Sequence, residues 1–175
     1  DYAGAAIDAI HDEGGDVLKL MGDGVLAMFN NDDMATARRA ALRAENQFRK
    51  NIETLNERRA SEGRPTTTAY VALHVGEVFY GNIGSEQRLD FTVVGPAVNE
   101  VSRMASMCRS VEREFLVSSA FLDGLGTPGK RHFVSTGRYA LRGLGRAQDL
   151  YTLDPGIRTE GHAASPFEQY LRGRE

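Results

Sequence analysis

From residue 33 to about residue 60, the apolar positions Ala37, Ala40, Ala41, Ala44, Phe48, Ile52 and Leu55 recur at spacings of three and four. That is the period of a helix with one apolar face, and Arg, Glu and Lys fill its other faces. The pattern predicts one long helix; every other predicted element is shorter. Just ahead of it, 17–21 and 25–29 read as strands joined at Gly22-Asp23-Gly24, and Asp-Gly is a strong hairpin signal.

Further along, 69–75 alternates as a strand, with 77–80 as its expected hairpin partner after Gly76. "GNIGSEQ" reads as a loop and 89–94 as another strand. Gly95-Pro96 suits a helix start, because proline at the first helical position gives up no needed hydrogen bond. That helix is expected to run to about Arg109. "EFLVS", "HFVSTG" and "DLYTL" read as short strands, with a helical turn at 119–125 between the first two. Residues 2–13 form a first short helix, broken at "DEGGD". Mixed helix and strand with hairpins argues an α+β fold, an α/β sandwich whose sheet is mostly antiparallel. Residues 1–154 read as one domain and 155–175 as a C-terminal tail or linker.

Composition narrows the partners. A formal charge of -3 carries no basic footprint, so nucleic acid is not expected. A single cysteine, Cys108, cannot close an internal disulfide and suits a reducing compartment. No apolar run approaches the length of a membrane span, so this segment is expected to be soluble, cytoplasmic and free of membrane contact.

Two nucleotide-binding patterns are present without their context. "GDGVLA" matches a dinucleotide fingerprint, but a strand follows where a helix is required. "GLGTPGK" fits the spacing of a phosphate loop, yet Arg131 stands where Ser or Thr must meet the metal, and helix precedes it instead of strand. A smaller set is more coherent. Asp23 at a hairpin tip is a hard oxygen ligand suited to magnesium alongside phosphate, although the turn alone would also account for it. Lys19 lies inside an otherwise apolar strand, so it must either reach the edge or meet an acceptor. Asn99 and Arg103, four apart near the start of a predicted helix, share one face; such an arginine can fork onto a phosphate. Arg88 and Asp90, two apart on a strand, can pair with each other.

Together "GGDVLKLMGDGVLAMF", "HVGEVFYGNIGSEQRLDFTVVGPAVNEVSRM" and "ALRGLGRAQDLYTL" resemble, in consistent order over about residues 1–154, the catalytic domain of class III nucleotidyl cyclases, mostly bacterial adenylyl cyclases. The resemblance implies a ferredoxin-like or palm-type sheet with helices packed on it, its first strand falling ahead of Asp1. It implies a head-to-tail homodimer with ATP at the interface and two Mg2+ or Mn2+ ions per site. Asp23 matches one of two metal aspartates; the other belongs on that upstream strand. Lys19 and Thr92 match the two base-reading positions, threonine marking one bacterial subgroup, and the pair points to ATP over GTP. Asn99 matches the residue that orients the ribose and Arg103 the residue that stabilises charge on the α-phosphate. Arg142 in "ALRGLGR" is the candidate triphosphate contact. The function implied is adenylyl cyclase, forming 3′,5′-cyclic AMP and pyrophosphate. A guanylyl cyclase and a non-catalytic homology domain for dimerisation or nucleotide sensing stay open. A diguanylate cyclase would need its Gly-Gly-Asp/Glu-Glu-Phe turn, and "GGD" is followed here by Val17 and Leu18. His74 is expected to pack, and Cys108 to fill apolar space.

Overall fold

A computed structural model describes residues 2–85, 88–158 and 165–173; the side chains of 82–85, 88–92 and 158 lie outside that description. The elements run α1 (Tyr2–Asp12), β1 (Asp16–Met21), β2 (Gly24–Met28), α2 (Met34–Ser61), β3 (Val71–Leu73), β4 (Phe79–Ser85), β5 (Arg88–Val94), α3 (Pro96–Ser110), β6 (Phe115–Ser118), α4 (Ser119–Asp123), α5 (Gly126–Lys130), β7 (Phe133–Tyr139), β8 (Gln148–Leu153), a 3-10 turn (Pro155–Arg158) and α6 (Pro166–Leu171). The fold is α+β, as the mixed pattern predicts. The chain divides into two compact units, one of residues 1–69 and 79–93, the other of residues 70–78 and 94–175.

In the first unit, α1 and α2 pack on each other, and α1 also meets the β1–β2 hairpin. Helix α1 ends in a Schellman motif. Gly14, at φ 74°, gives its N–H to His11 O, and Gly15 N–H reaches Ile10 O. A side chain on Gly15 would collide with the Phe29 ring and with Ile10. Those contacts explain the glycines of "GGD" without nucleotide chemistry. Asp33 caps α2, its carboxylate accepting from the Ala35 and Thr36 amides and from the Thr36 hydroxyl. These bonds hold the Asp33 carboxyl below its ordinary 3.8, the Thr36 hydroxyl contributing most. The predicted apolar stripe of α2 is buried, and so are Glu45 and Arg49. Arg49 Nε meets Glu45 Oε1 at 2.8 Å, and its Nη1 donates to Ala69 O. A paired, hydrogen-bonded arginine can therefore enter a face that period alone would leave to apolar groups.

The second unit is built on a four-stranded sheet of order β3-β6-β8-β7. Only β3–β6 runs parallel; β6–β8 and β7–β8 are antiparallel. Helix α3 packs on β3 and β6. Met104 and Cys108 of α3, Leu116 of β6, Leu150 of β8 and Leu141 from the connection between β7 and β8 form one buried cluster. Fully burying an aliphatic side chain of this size stabilises by about 1.5–3 kcal/mol, so the cluster fixes α3 against the sheet.

Two strand readings are corrected. β4 pairs with β5, not with β3, and "GNIGS" continues β4 instead of forming a loop; the rest of that motif, Glu86 and Gln87, lies outside the described residues. Glycine and asparagine signal loops locally, but pairing with β5 overrides that preference. In the segment beyond residue 155, α6 carries a full capping box at Ser165 and Glu168, and it buries Phe167, Tyr170 and Leu171. Their spacing of three and four is a short helical stripe.

Candidate functional site

In the β1–β2 hairpin, Met21 pairs with Gly24, so Gly22 and Asp23 are the two central turn residues. Gly22 takes φ 63°, whereas Asp23 has no positive φ. A two-residue hairpin turn with glycine first needs that glycine, not the acid after it. Asp23 is thus free of the backbone demand that would otherwise explain it, and its side chain is exposed. Lys19 sits opposite Leu26, just past a bulge at Leu18 where the register shifts. It reaches solvent, as do its neighbours Leu20 at 56% and Met21 at 44% exposure, so the lysine is not buried in an apolar strand. Among the described residues neither the Lys19 nor the Asp23 side chain has a hydrogen-bond or ion-pair partner. Burial pushes the Tyr2 phenol up; Arg49 opposes this, and the Asp23 carboxylate adds to it.

In the second unit, α3 starts at Gly95-Pro96 as the sequence predicts, with no side-chain cap. Gly95 adopts φ 148°, and a Cβ there would lie 2.9 Å from Glu77 O. This close approach seats the helix start on the backbone of residues 77–78. Asn99 is exposed on the first turns, and Arg103, one turn later, is half-buried. Arg103 directly precedes Met104, which is buried in the core cluster.

The turn at 141–144 closes with Leu144 N–H on Leu141 O, at 3.0 Å. Gly143, the third residue, has φ 75°, which a turn of this type assigns to glycine. Leu141 is buried in the core cluster and Arg142 is exposed. The Arg103 guanidinium fills the space beside Gly143, with Nη2 3.2 Å from where a Cβ would stand. The structure therefore brings Arg103 onto the turn that carries Arg142. Asp23 and Lys19 share the hairpin in the other unit. Thr92 falls on β5, but its side chain, like those of Arg88 and Asp90, lies outside the described residues.

On sequence alone Gly143 carries no signal, Gly95 marks only a helix start, and His74 reads only as packing. The two glycines could have been found from "LRGLG" and "VVGP", where a glycine follows an apolar anchor with no loop-length need for it. Lys130 of the phosphate-loop-like stretch is bound to Asp123 at 2.7 Å, within a short helical segment.

Among the described residues no group of three or more His, Cys, Asp or Glu side chains could hold a metal. Asp23 alone suits the magnesium mode in which one or two carboxylates act with substrate phosphates and waters.

No protein-family model matches the chain. An adenylate cyclase of Anabaena cylindrica is 27% identical over 128 residues, 73% of this chain and 26% of that protein. The chain spans about a quarter or less of the length of curated relatives such as this one. The crystal structure of the adenylyl cyclase CyaB from P. aeruginosa matches with TM-score 0.75 at 22% identity, covering 91% of this chain and 82% of that one. The guanylyl cyclase Cya2 matches with TM-score 0.70 at 24% identity, over 87% and 76%. The chain has the fold of adenylyl and guanylyl cyclase structures.

Proposed function

We propose that this chain is the catalytic domain of an adenylyl cyclase, converting ATP to 3′,5′-cyclic AMP and pyrophosphate in a head-to-tail homodimer. The observation that carries the reading is the Arg103 guanidinium seated against Gly143 of the turn bearing Arg142. Two guanidinium positions on adjoining elements, neither with a hydrogen-bond or ion-pair partner among the described residues, suit a polyphosphate. The similarity to named adenylate cyclases supports it.

In this reading Asp23 of one copy is a metal ligand. The other copy supplies Lys19 and Thr92 to the base, Asn99 to the ribose, Arg103 to the α-phosphate and Arg142 to the triphosphate. The ribose 3′-hydroxyl gives up its proton to solvent as its oxygen bonds to the α-phosphorus in line; the bond from that phosphorus to the oxygen bridging to the β-phosphate breaks, and pyrophosphate leaves. Two Mg2+ or Mn2+ ions, when bound, lower the pKa of the 3′-hydroxyl and neutralise the triphosphate. Arg103 donates N–H groups to phosphoryl oxygens as charge builds, a contribution of about 3–4 kcal/mol by analogy with other preorganised donors. Asn99 acts by orientation.

Leu20, Met21, Phe79 at 73% and Tyr80 at 48% exposure support burial against a second copy, since large exposed apolar groups mark association sites. The fold does not choose between ATP and GTP, because structures of both cyclase types share it; the Lys19–Thr92 pair is the basis for ATP. Among the described residues no helix is long and apolar enough to cross a membrane, and a cytoplasmic location fits the buried Cys108, which is in no disulfide.

The test uses the longer protein, upstream segment included, with MnATP and chromatographic detection of cyclic AMP. Wild type should form it, and Asp23→Ala should lower turnover by about 10²-fold or more. Normal turnover by Asp23→Ala would remove the metal role. No cyclic nucleotide from either ATP or GTP would remove the cyclase reading.

A further inference from the structure

Just beyond β3, His74 bridges three elements. Its Nδ1 lies 2.8 Å from Ser118 Oγ, and its Nε2 lies 3.3 Å from Glu100 Oε2 on α3. The imidazole is 9% exposed and the Glu100 side chain 20%. Ser118 ends β6 and caps α4, its Oγ accepting the Phe121 amide at 3.2 Å.

One arrangement of protons satisfies every group. Phe121 N–H donates to Ser118 Oγ, the Ser118 hydroxyl donates to His74 Nδ1, and His74 Nε2–H donates to the Glu100 carboxylate. This is the neutral imidazole with its proton on Nε2. Protonation of Nδ1 would turn it from acceptor to donor and leave the Ser118 hydroxyl hydrogen, buried with its residue, without its acceptor. Burial acts in the same sense, pushing the imidazole below its ordinary 6.5, while Glu100 opposes it.

Serine, histidine and glutamate in this connectivity could be read as an acyl-transfer triad. Ser118 is only 1% exposed, however, and its oxygen is committed to the cap, so no carbonyl can reach it. The chain of bonds joins β3, α3 and the β6–α4 junction, and it meets α3 between Asn99 and Arg103. The same region is tightly seated: a Cβ on Gly76 would lie 2.8 Å from Ala97 Cβ and 3.1 Å from His74 Nε2. α3 has no side-chain cap, and Glu100 ties its second turn to His74 at the end of β3.

We propose that His74 is a positioning residue: by holding Glu100 it sets the rotation of α3 and so aims Asn99 and Arg103 at the substrate. This rests on the cyclase reading. Side chains at successive helix positions diverge by about 100°, so a small rotation at Glu100 swings its neighbours through arcs that matter for in-line chemistry.

The experiment compares His74→Ala, His74→Gln, Glu100→Ala and the double alanine variant in the longer protein, by MnATP kinetics and by hydrogen exchange of α3. His74→Ala should lower kcat about tenfold while KM for ATP moves less than about twofold. His74→Gln, which keeps a donor at the Nε2 position, should restore most of the rate. The double variant should be no worse than either single one, because both break the same bond. Amides of residues 99–103 should exchange faster in His74→Ala. Wild-type kcat in His74→Ala, or additive losses in the double variant, would overturn the proposal. If the wild-type protein forms no cyclic nucleotide, the cyclase reading falls. Exchange then decides on the brace alone: faster exchange upholds it, and unchanged exchange overturns it. Should His74→Ala fail to fold, the part-exposed Glu100→Ala carries the same comparison.

Discussion

The β1–β2 hairpin and the α3 region hold their candidate residues in opposite ways. On the hairpin, Asp23 and Lys19 stand exposed on a two-residue turn and a bulged strand, with apolar neighbours in solvent. In the second unit, Arg103 issues from a helix pinned by Met104 and Cys108, and it rests on a glycine where a side chain would crowd it. A metal ligand tolerates the first kind of support, because phosphate oxygens and waters complete its coordination. A group that stabilises charge in a transition state does not, since a misplacement of about 1 Å can cost 10²-fold in rate. In the proposed cyclase the contrast is that between a ligand presented to an incoming ion and a donor preorganised for one geometry.

The largest expected effect attacks the rigid side. Gly143→Ala puts a methyl carbon 3.2 Å from Arg103 Nη2, tighter than ordinary contact, and forces φ 75° on an L residue. It should lower kcat about 10²-fold with little change in KM, measured with MnATP. If the rate is unchanged, the turn does not seat the arginine. A smaller effect is expected from the base-reading pair. Lys19→Glu with Thr92→Cys should shift the ratio of kcat/KM for GTP over ATP by about tenfold or more, and unaltered ATP preference would separate the hairpin from the base. The smallest touches only the far end of α3. Glu112 holds φ 53° where the Arg113 amide bonds back to Cys108 O, a helix-ending geometry that glycine adopts without strain. Glu112→Gly should stabilise the protein by about 0.5–1 kcal/mol in urea unfolding and leave turnover alone. A change in turnover would mean that the end of α3 communicates with its beginning.

Where the sequence is readable, the signals are local. The stripe of α2, the Asp33 cap, the glycine-first hairpin and Gly95-Pro96 each declare an element within a few residues. The candidate site residues on those elements were named for the same reason, and the roles proposed for them came from three motifs in order. What stayed hidden depends on chain segments meeting from afar. The parallel pairing of β3 with β6, and the membership of "GNIGS" in β4, are set by partners that local propensity does not name. The Glu45–Arg49 pair looks like a solvent face until Ala69 O arrives to accept from it. Gly143 reads as a loop glycine until Arg103 is placed beside it. His74 reads as packing because Glu100 and Ser118 lie 26 and 44 residues away.

The central claim is that Asp23 of one copy works with Arg103 of another. Asp23→Ala and Arg103→Ala, each inactive alone, can be mixed in equal amounts and allowed to exchange subunits before cyclic AMP is measured. Half of the dimers would then be mixed, and each would carry one intact site and one doubly altered site. The account expects recovery of about a quarter of wild-type activity by this symmetry argument. A mixture as inactive as its parts, from variants that still dimerise and exchange, would contradict it.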